Sequence, residues 1–175
     1  MKISRSFMKK LATVTMLGLA ITVLNDRPVQ ALTQTANLGV TATVIATCTI
    51  AAAPVNFGTY DVTVATPTTA TGTVTVTCSN GSAVFITLGQ GVNPAGGSTA
   101  ALPVRQMSAG GVDRLGYNLF TVAGGPAEWG DTQASGASFK GTGVADPHSV
   151  FGSIPAGQAV LSGAYTDSVL ATVNY

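Results

Sequence analysis

The 175-residue chain carries eight basic and seven acidic residues, and five of the basic ones, Lys2, Arg5, Lys9, Lys10 and Arg27, lie ahead of Pro28. Beyond Ala31 only Arg105, Arg114 and Lys140 stand against six acids, a formal charge of −3. So few scattered cations cannot form the footprint that nucleic acid needs, and a charge density far below the usual one suits a surface packed against other protein. A single histidine, His148, and two cysteines offer no metal-ligand spacing and no nucleophile signature, so no enzyme, cofactor, metal or small-molecule substrate is expected.

In chain order, a basic start leads into the apolar run Leu11–Leu24, which is too short for a comfortable membrane span and is followed by "VQA" at Val29–Ala31. This pattern predicts a secretory signal peptide over residues 1–31, cut after Ala31. The remainder is long enough for one domain and too short for two. It alternates Thr, Val and Ala between Gly, Pro, Asn and Ser, with no stretch of helical period, and reads as all-β. Strands are predicted at Ala36–Thr47, Val55–Phe57, Thr73–Cys78, Ala83–Leu88, Leu102–Met107, Leu115–Val122, Val150–Ile154, Gln158–Leu161 and Ala164–Tyr175. Short strands at this spacing suit a sandwich or a barrel.

Cys48 and Cys78, both in an exported chain, are expected to pair, because an oxidising compartment favours a disulfide and their wide spacing has nothing of a redox motif. Closing a loop of about 30 residues would contribute roughly 3–4 kcal/mol in the chain-entropy picture. Gly124–Gly143 reads as one long loop in which Trp129 plugs the side of the core, and Glu128 and Asp131 read as solvated acids within it. His148 sits in a "DPHS" turn and is expected to be solvated.

The last stretch, Gly163–Tyr175, places Tyr165, Val169, Ala171, Val173 and Tyr175 on one face and Thr166, Ser168, Thr172 and Asn174 on the other, with Asp167 and Leu170 as exceptions. A chain that halts on a strand raises the question of what pairs with it: a segment of its own, or one from another molecule.

Several stretches together resemble the spore coat protein U domain, the subunit family of archaic (Csu-type) chaperone-usher pili. They are "TCTI" around Cys48, "NFGTYD" at Asn56–Asp61, "GTVTVTCSNG" at Gly72–Gly81, "RQMSAGGVDRLGYNLF" at Arg105–Phe120, "WGD" at Trp129 and the C-terminal run from Val150. The resemblance implies an incomplete immunoglobulin-like β-sandwich, residues 48–175, completed by a donor strand from a neighbouring subunit. It implies identical or related pilin subunits, a periplasmic chaperone and an outer-membrane usher as partners, and export through the periplasm to a surface fibre serving adhesion or biofilm formation. The acceptor groove would lie beside Val169, Ala171, Val173 and Tyr175.

A donor is available in residues 32–47. Ala36, Leu38, Val40, Ala42, Val44 and Ala46 share one face, with only Ile45 interrupting the polar face opposite, and Ala36 to Ala46 extended spans roughly 33–36 Å, enough to fill a sandwich groove. The same periodicity also fits a first strand of the chain's own domain. Two other readings compete: a spore or surface coat protein without a pilus, and an outer-membrane β-barrel ending on Tyr175. Against the barrel, aromatics are 6% of the chain, too few for two interfacial girdles.

Overall fold

The computed structural model describes residues 30–175, so the expected signal peptide, residues 1–31, lies outside them except for Gln30 and Ala31. The chain divides into two units, Met1–Thr41 and Ala42–Tyr175. Residues 30–41 form no strand, and Leu38 and Val40 are exposed there.

The second unit contains eight strands and, among the described residues, no helix. The strands are β1 (Cys48–Ala53), β2 (Thr68–Cys78), β3 (Ala83–Leu88), β4 (Arg105–Ser108), β5 (Arg114–Phe120), β6 (Ala137–Lys140), β7 (Asp146–Ile154) and β8 (Ala171–Asn174). They form a five-stranded sheet, β1-β2-β7-β5-β4, and a three-stranded sheet, β6-β3-β8, in which every pairing is antiparallel. Among the described residues both sheets are open, with free edges, so these strands do not close into a barrel.

Alternation explains the layers. Along β2, Val74, Val76 and Cys78 point inward and are buried, while Thr73, Thr75 and Thr77 stay half-exposed. The same period two buries Leu115, Tyr117 and Leu119 of β5, Val150 and Ile154 of β7, and Val84, Ile86 and Leu88 of β3. Those side chains, with Trp129, are the core. Trp129 is 1% exposed, and its indole N–H donates to the Ile86 carbonyl at 2.9 Å. The loop aromatic therefore plugs the core as expected.

Cys48 and Cys78 are directly opposed across β1 and β2 and are joined by a disulfide with a Cα–Cα distance of 4.1 Å. Just beyond it the Ser79 N–H donates to the Thr47 carbonyl at 2.9 Å, and the Thr47 N–H donates to Ser79 Oγ at 3.0 Å. The β1–β2 ladder thus carries on to Thr47, the residue that joins the strand to the segment before it.

Several expected strands are placed differently. Ala36–Thr47 forms no strand, because a period-two pattern needs a ladder partner and, among the described residues, only Thr47 at its end meets one, in Ser79. Cys48–Ala53, by contrast, does pair. Val55–Phe57 is not a strand either: after β1 the chain leaves the sheet edge at Pro54 and lies over Gly72 and Gly152. A Cβ on Gly72 would come within 2.7 Å of Val55, and one on Gly152 within 2.6 Å of both Val55 and Phe57, so the two glycines make room for that crossing. Gln158–Leu161 is irregular; the Gln158 side chain instead bonds the backbone of Gly116 in both directions, at 2.7 and 2.8 Å. β6 lies inside the stretch expected to be one long loop, and the C-terminal strand is reduced to four residues.

One further contact ties the two sheets together. Arg105, on edge strand β4, is 1% exposed and donates to the carbonyls of Leu88 (2.8 Å), Gly89 (2.8 Å) and Trp129 (2.6 Å) and to Glu128 Oε2 (2.9 Å). Burial pushes the guanidinium below its ordinary value and the Glu128 carboxyl above its own, in both cases against the partner's attraction. The ion pair therefore adds little net stability by itself; the geometry it imposes on the end of β3 is its contribution.

Two outcomes follow from these links. Replacing both cysteines by Ala should lower the unfolding free energy by about 3–4 kcal/mol in denaturant titration, and an unchanged midpoint would contradict that role. Arg105→Met should cost about 3–5 kcal/mol, because it strands the Glu128 carboxylate and three carbonyls; a loss below about 1 kcal/mol would show that the clasp is not needed.

Candidate functional site

The three-stranded sheet is too narrow to cover the inner face of the five-stranded one, and the uncovered part is a groove. Cys48, Ile50 and Ala52 of β1 share the face of their buried partners Cys78, Val76 and Val74, yet Ile50 is 38% exposed and Ala52 is exposed. Two adjoining cavities of about 860 and 440 Å³ run through this region and share Val55, Phe57, Met107 and Tyr165. Their floor is core, with Val74, Leu88, Leu119 and Val150 under the smaller one.

The groove has two walls. One is the end of β1 with the irregular run Pro54–Val62, fastened where the Tyr60 hydroxyl donates to the Pro155 carbonyl (3.0 Å) and accepts from the Gln158 N–H (2.9 Å). The other is the C-terminal segment. Thr166 pairs with Ser108 at the end of β4, through reciprocal backbone bonds of 2.9 and 3.0 Å, so this segment begins against the five-stranded sheet. It then crosses over. The Gly89 N–H donates to the Leu170 carbonyl at 2.9 Å, and Ala171–Asn174 pairs with Leu88–Phe85 as edge strand β8.

Along this wall Tyr165, Asp167, Val169, Ala171 and Val173 are half-buried, whereas Thr166, Ser168 and Leu170 are exposed. Of the residues expected at an acceptor groove, Val169 and Ala171 line the smaller cavity, and Val173 packs half-buried against the core opposite Ile86. Tyr175 is 61% exposed, one residue past β8. Every residue of the expected donor face, Ala36, Leu38, Val40, Ala42, Val44 and Ala46, is exposed.

Three groove residues escaped the sequence reading. Tyr117, 5% exposed, donates its hydroxyl to Asp167 Oδ2 at 2.6 Å and meets the Phe57 ring edge-on at 6.2 Å. Burial and the hydrogen bond to Asp167 together push the phenol well above its ordinary value, so it stays protonated as a donor. The signal was available in one case: Asp167 holds the inward parity of the last strand, which is why it stood out as an exception there.

His148 is a correction. It lies on the inward face of β7, not in a turn, with its ring 4.4 Å from that of Phe139 and its Nε2 3.4 Å from Asp146 Oδ2. Among the described residues there is no cluster of three or more potential metal ligands. Glu128 is committed to Arg105 and to the Leu119 N–H at 3.1 Å. The arrangement offers an apolar trough beside a free strand edge, which suits an extended polypeptide.

Comparison with known proteins agrees with this geometry. The profile of the Spore Coat Protein U domain matches residues 34–172. The curated protein "Protein U" of Myxococcus xanthus is 41% identical over 158 residues, covering 85% of this chain and 88% of its own. Among solved structures, a chain of the CsuC–CsuE chaperone–tip adhesion subunit pre-assembly complex, from archaic chaperone-usher Csu pili of Acinetobacter baumannii, superposes with a TM-score of 0.54 at 24% identity. That match covers 76% of this chain and 40% of the other, and it bears on the fold alone. On the profile match and the identity to Protein U, the chain belongs to the spore coat protein U domain family.

Proposed function

We propose that this protein is a structural subunit of a surface fibre of the archaic chaperone-usher type, in which an extended segment of one subunit completes the sandwich of the next. The observation that carries the reading is the pairing of an unmet need with a matching supply. The groove exposes core side chains beside the free edge of β8, and Ala36–Ala46 presents an exposed, alternating apolar face of groove length. Strand addition would satisfy the backbone of both segments and bury both apolar faces.

The domain boundaries follow from this reading: residues 1–31 as signal peptide, 32–47 as donor extension and 48–175 as acceptor domain. A periplasmic chaperone would cover the groove before assembly and an outer-membrane usher would receive the subunit. The fibre would then stand on the cell surface and serve adhesion or biofilm formation. A second reading, a coat protein without a pilus, is favoured by the 41% identity to Protein U. Strand exchange serves both, and electron microscopy of the producing cell separates a fibre from a layer.

The test uses the full exported chain. A version carrying Val40→Asp and Val44→Asp keeps its groove but should not assemble, since each change puts a carboxylate into an apolar trough. Adding a synthetic peptide spanning Thr35–Thr47 should raise its melting temperature, by the equivalent of about 2.7 kcal/mol at a hundredfold excess over Kd. Normal assembly of the double variant, together with no response to the peptide, would overturn the reading. Separately, Ala171→Arg places a charge on the groove wall and should abolish both assembly and peptide binding; assembly at the parent rate would show that β8 does not face the occupant.

A further inference from the structure

The C-terminal wall changes sheets within a few residues, and one carboxylate sits at the change. Thr166 is tied to β4 and Leu170 to Gly89 at the end of β3, so the segment between them must be held across the gap between the sheets. Asp167 Oδ2 accepts from the Tyr117 hydroxyl at 2.6 Å; Oδ1 accepts from the Val92 N–H at 2.9 Å and from Asn93 Nδ2 at 3.5 Å. Gly91, just ahead of Val92, has φ +82°, and a Cβ there would overlap the Asp167 carboxylate. The loop is shaped to admit this side chain.

Position matters here more than burial. The inward parity of Tyr165, Val169, Ala171 and Val173 asks for an apolar residue at 167, and an aliphatic side chain would bury more apolar surface at less desolvation cost. The carboxylate instead reaches both β5, through Tyr117, and the loop after β3, through Val92. Tyr117 also meets Phe57 of the opposite wall edge-on, and Phe57 lies where a Cβ on Gly152 would strike it. One buried ring therefore spaces the two walls of the groove.

We propose that Asp167 is the positioning residue of the groove: held by Tyr117 and Val92, it fixes where the C-terminal wall crosses between the sheets, and so sets the width and edge that an incoming strand meets. This inference rests on the strand-uptake reading. It assigns the tightness of uptake to a polar contact at the groove floor, where preorganisation spares the occupant the cost of ordering the wall.

The experiment titrates the Thr35–Thr47 peptide into the full exported chain carrying Val40→Asp and Val44→Asp, alone and combined with Tyr117→Phe or Asp167→Val. Peptide affinity and the melting temperature of the unliganded protein are both read. Each added change should weaken the peptide at least tenfold, through faster dissociation, while Tyr117→Phe, which leaves the half-exposed Asp167 carboxylate open to water, shifts the melting temperature of the free protein little. A residue that merely stabilised the fold would not separate the two readouts in that direction. Parent-like affinity in both variants would overturn the positioning role while leaving strand uptake intact, and no peptide binding by the parent would overturn both. Should Asp167→Val fail to fold, Tyr117→Phe, which removes a single hydroxyl, decides the question alone: tenfold weaker binding supports the role and unchanged binding overturns it.

Discussion

A five-stranded sheet facing a three-stranded one cannot bury its whole inner face, and the rest of this structure follows from that mismatch. β1 pairs with β2 along its full length, yet its inward residues Ile50 and Ala52 remain exposed because, among the described residues, no strand pairs with the outer edge of β8. Apolar surface left in water forgoes roughly 25 cal/mol per Å², and a free strand edge beside it leaves unpaired backbone groups. An extended segment with apolar residues at every second position would meet both deficits. A small ligand would cover the trough without pairing the edge.

The groove is nevertheless built. Its walls contain little regular structure, so they are held by side chains: Tyr60 to Pro155, Gln158 to Gly116, Tyr117 to Asp167, and Arg105 to the end of β3. Arg105 and Glu128 are shifted by burial in the directions that oppose ionisation, which marks them as groups kept for geometry at a cost in desolvation. A trough defined in this way loses less entropy on filling than one whose walls must first be ordered. The disulfide extends the same logic to the point where the chain enters the domain. It locks β1 to β2 at Cys48, directly after Thr47, so that a pull on the preceding segment is delivered to β2, which pairs with strands on both sides.

The sequence was most legible where one side chain in two is buried by a sheet. Ala83–Leu88 is a strand at the expected boundaries, and the buried side chains of β2 and β5 are the apolar ones of each alternation. Periodicity failed where it lacked a partner or a face. Ala36–Thr47 alternates with only Ile45 out of place, but a ladder needs a second backbone, and pattern alone does not say whose. Val55–Phe57 is apolar because it packs over two glycines, and period two cannot distinguish a side chain lying on a sheet from one belonging to it. Ala137–Lys140 is too short to stand out among glycines. Arg105 was hidden for a different reason: its four acceptors come from Leu88, Gly89, Glu128 and Trp129, distant in sequence, so nothing local distinguishes it from a solvated arginine.

The central claim is that residues Ala36–Ala46 leave solvent and enter a neighbour's groove on assembly. Hydrogen–deuterium exchange, read by mass spectrometry on the monomeric and the assembled protein, tests it most directly. Amides of 36–46 should exchange freely in the monomer and become strongly protected on assembly, together with those of β8 and not those of the already paired β2 and β7. Assembled protein in which 36–46 still exchanges at the monomer rate, or a monomer in which that segment is already protected, would contradict it.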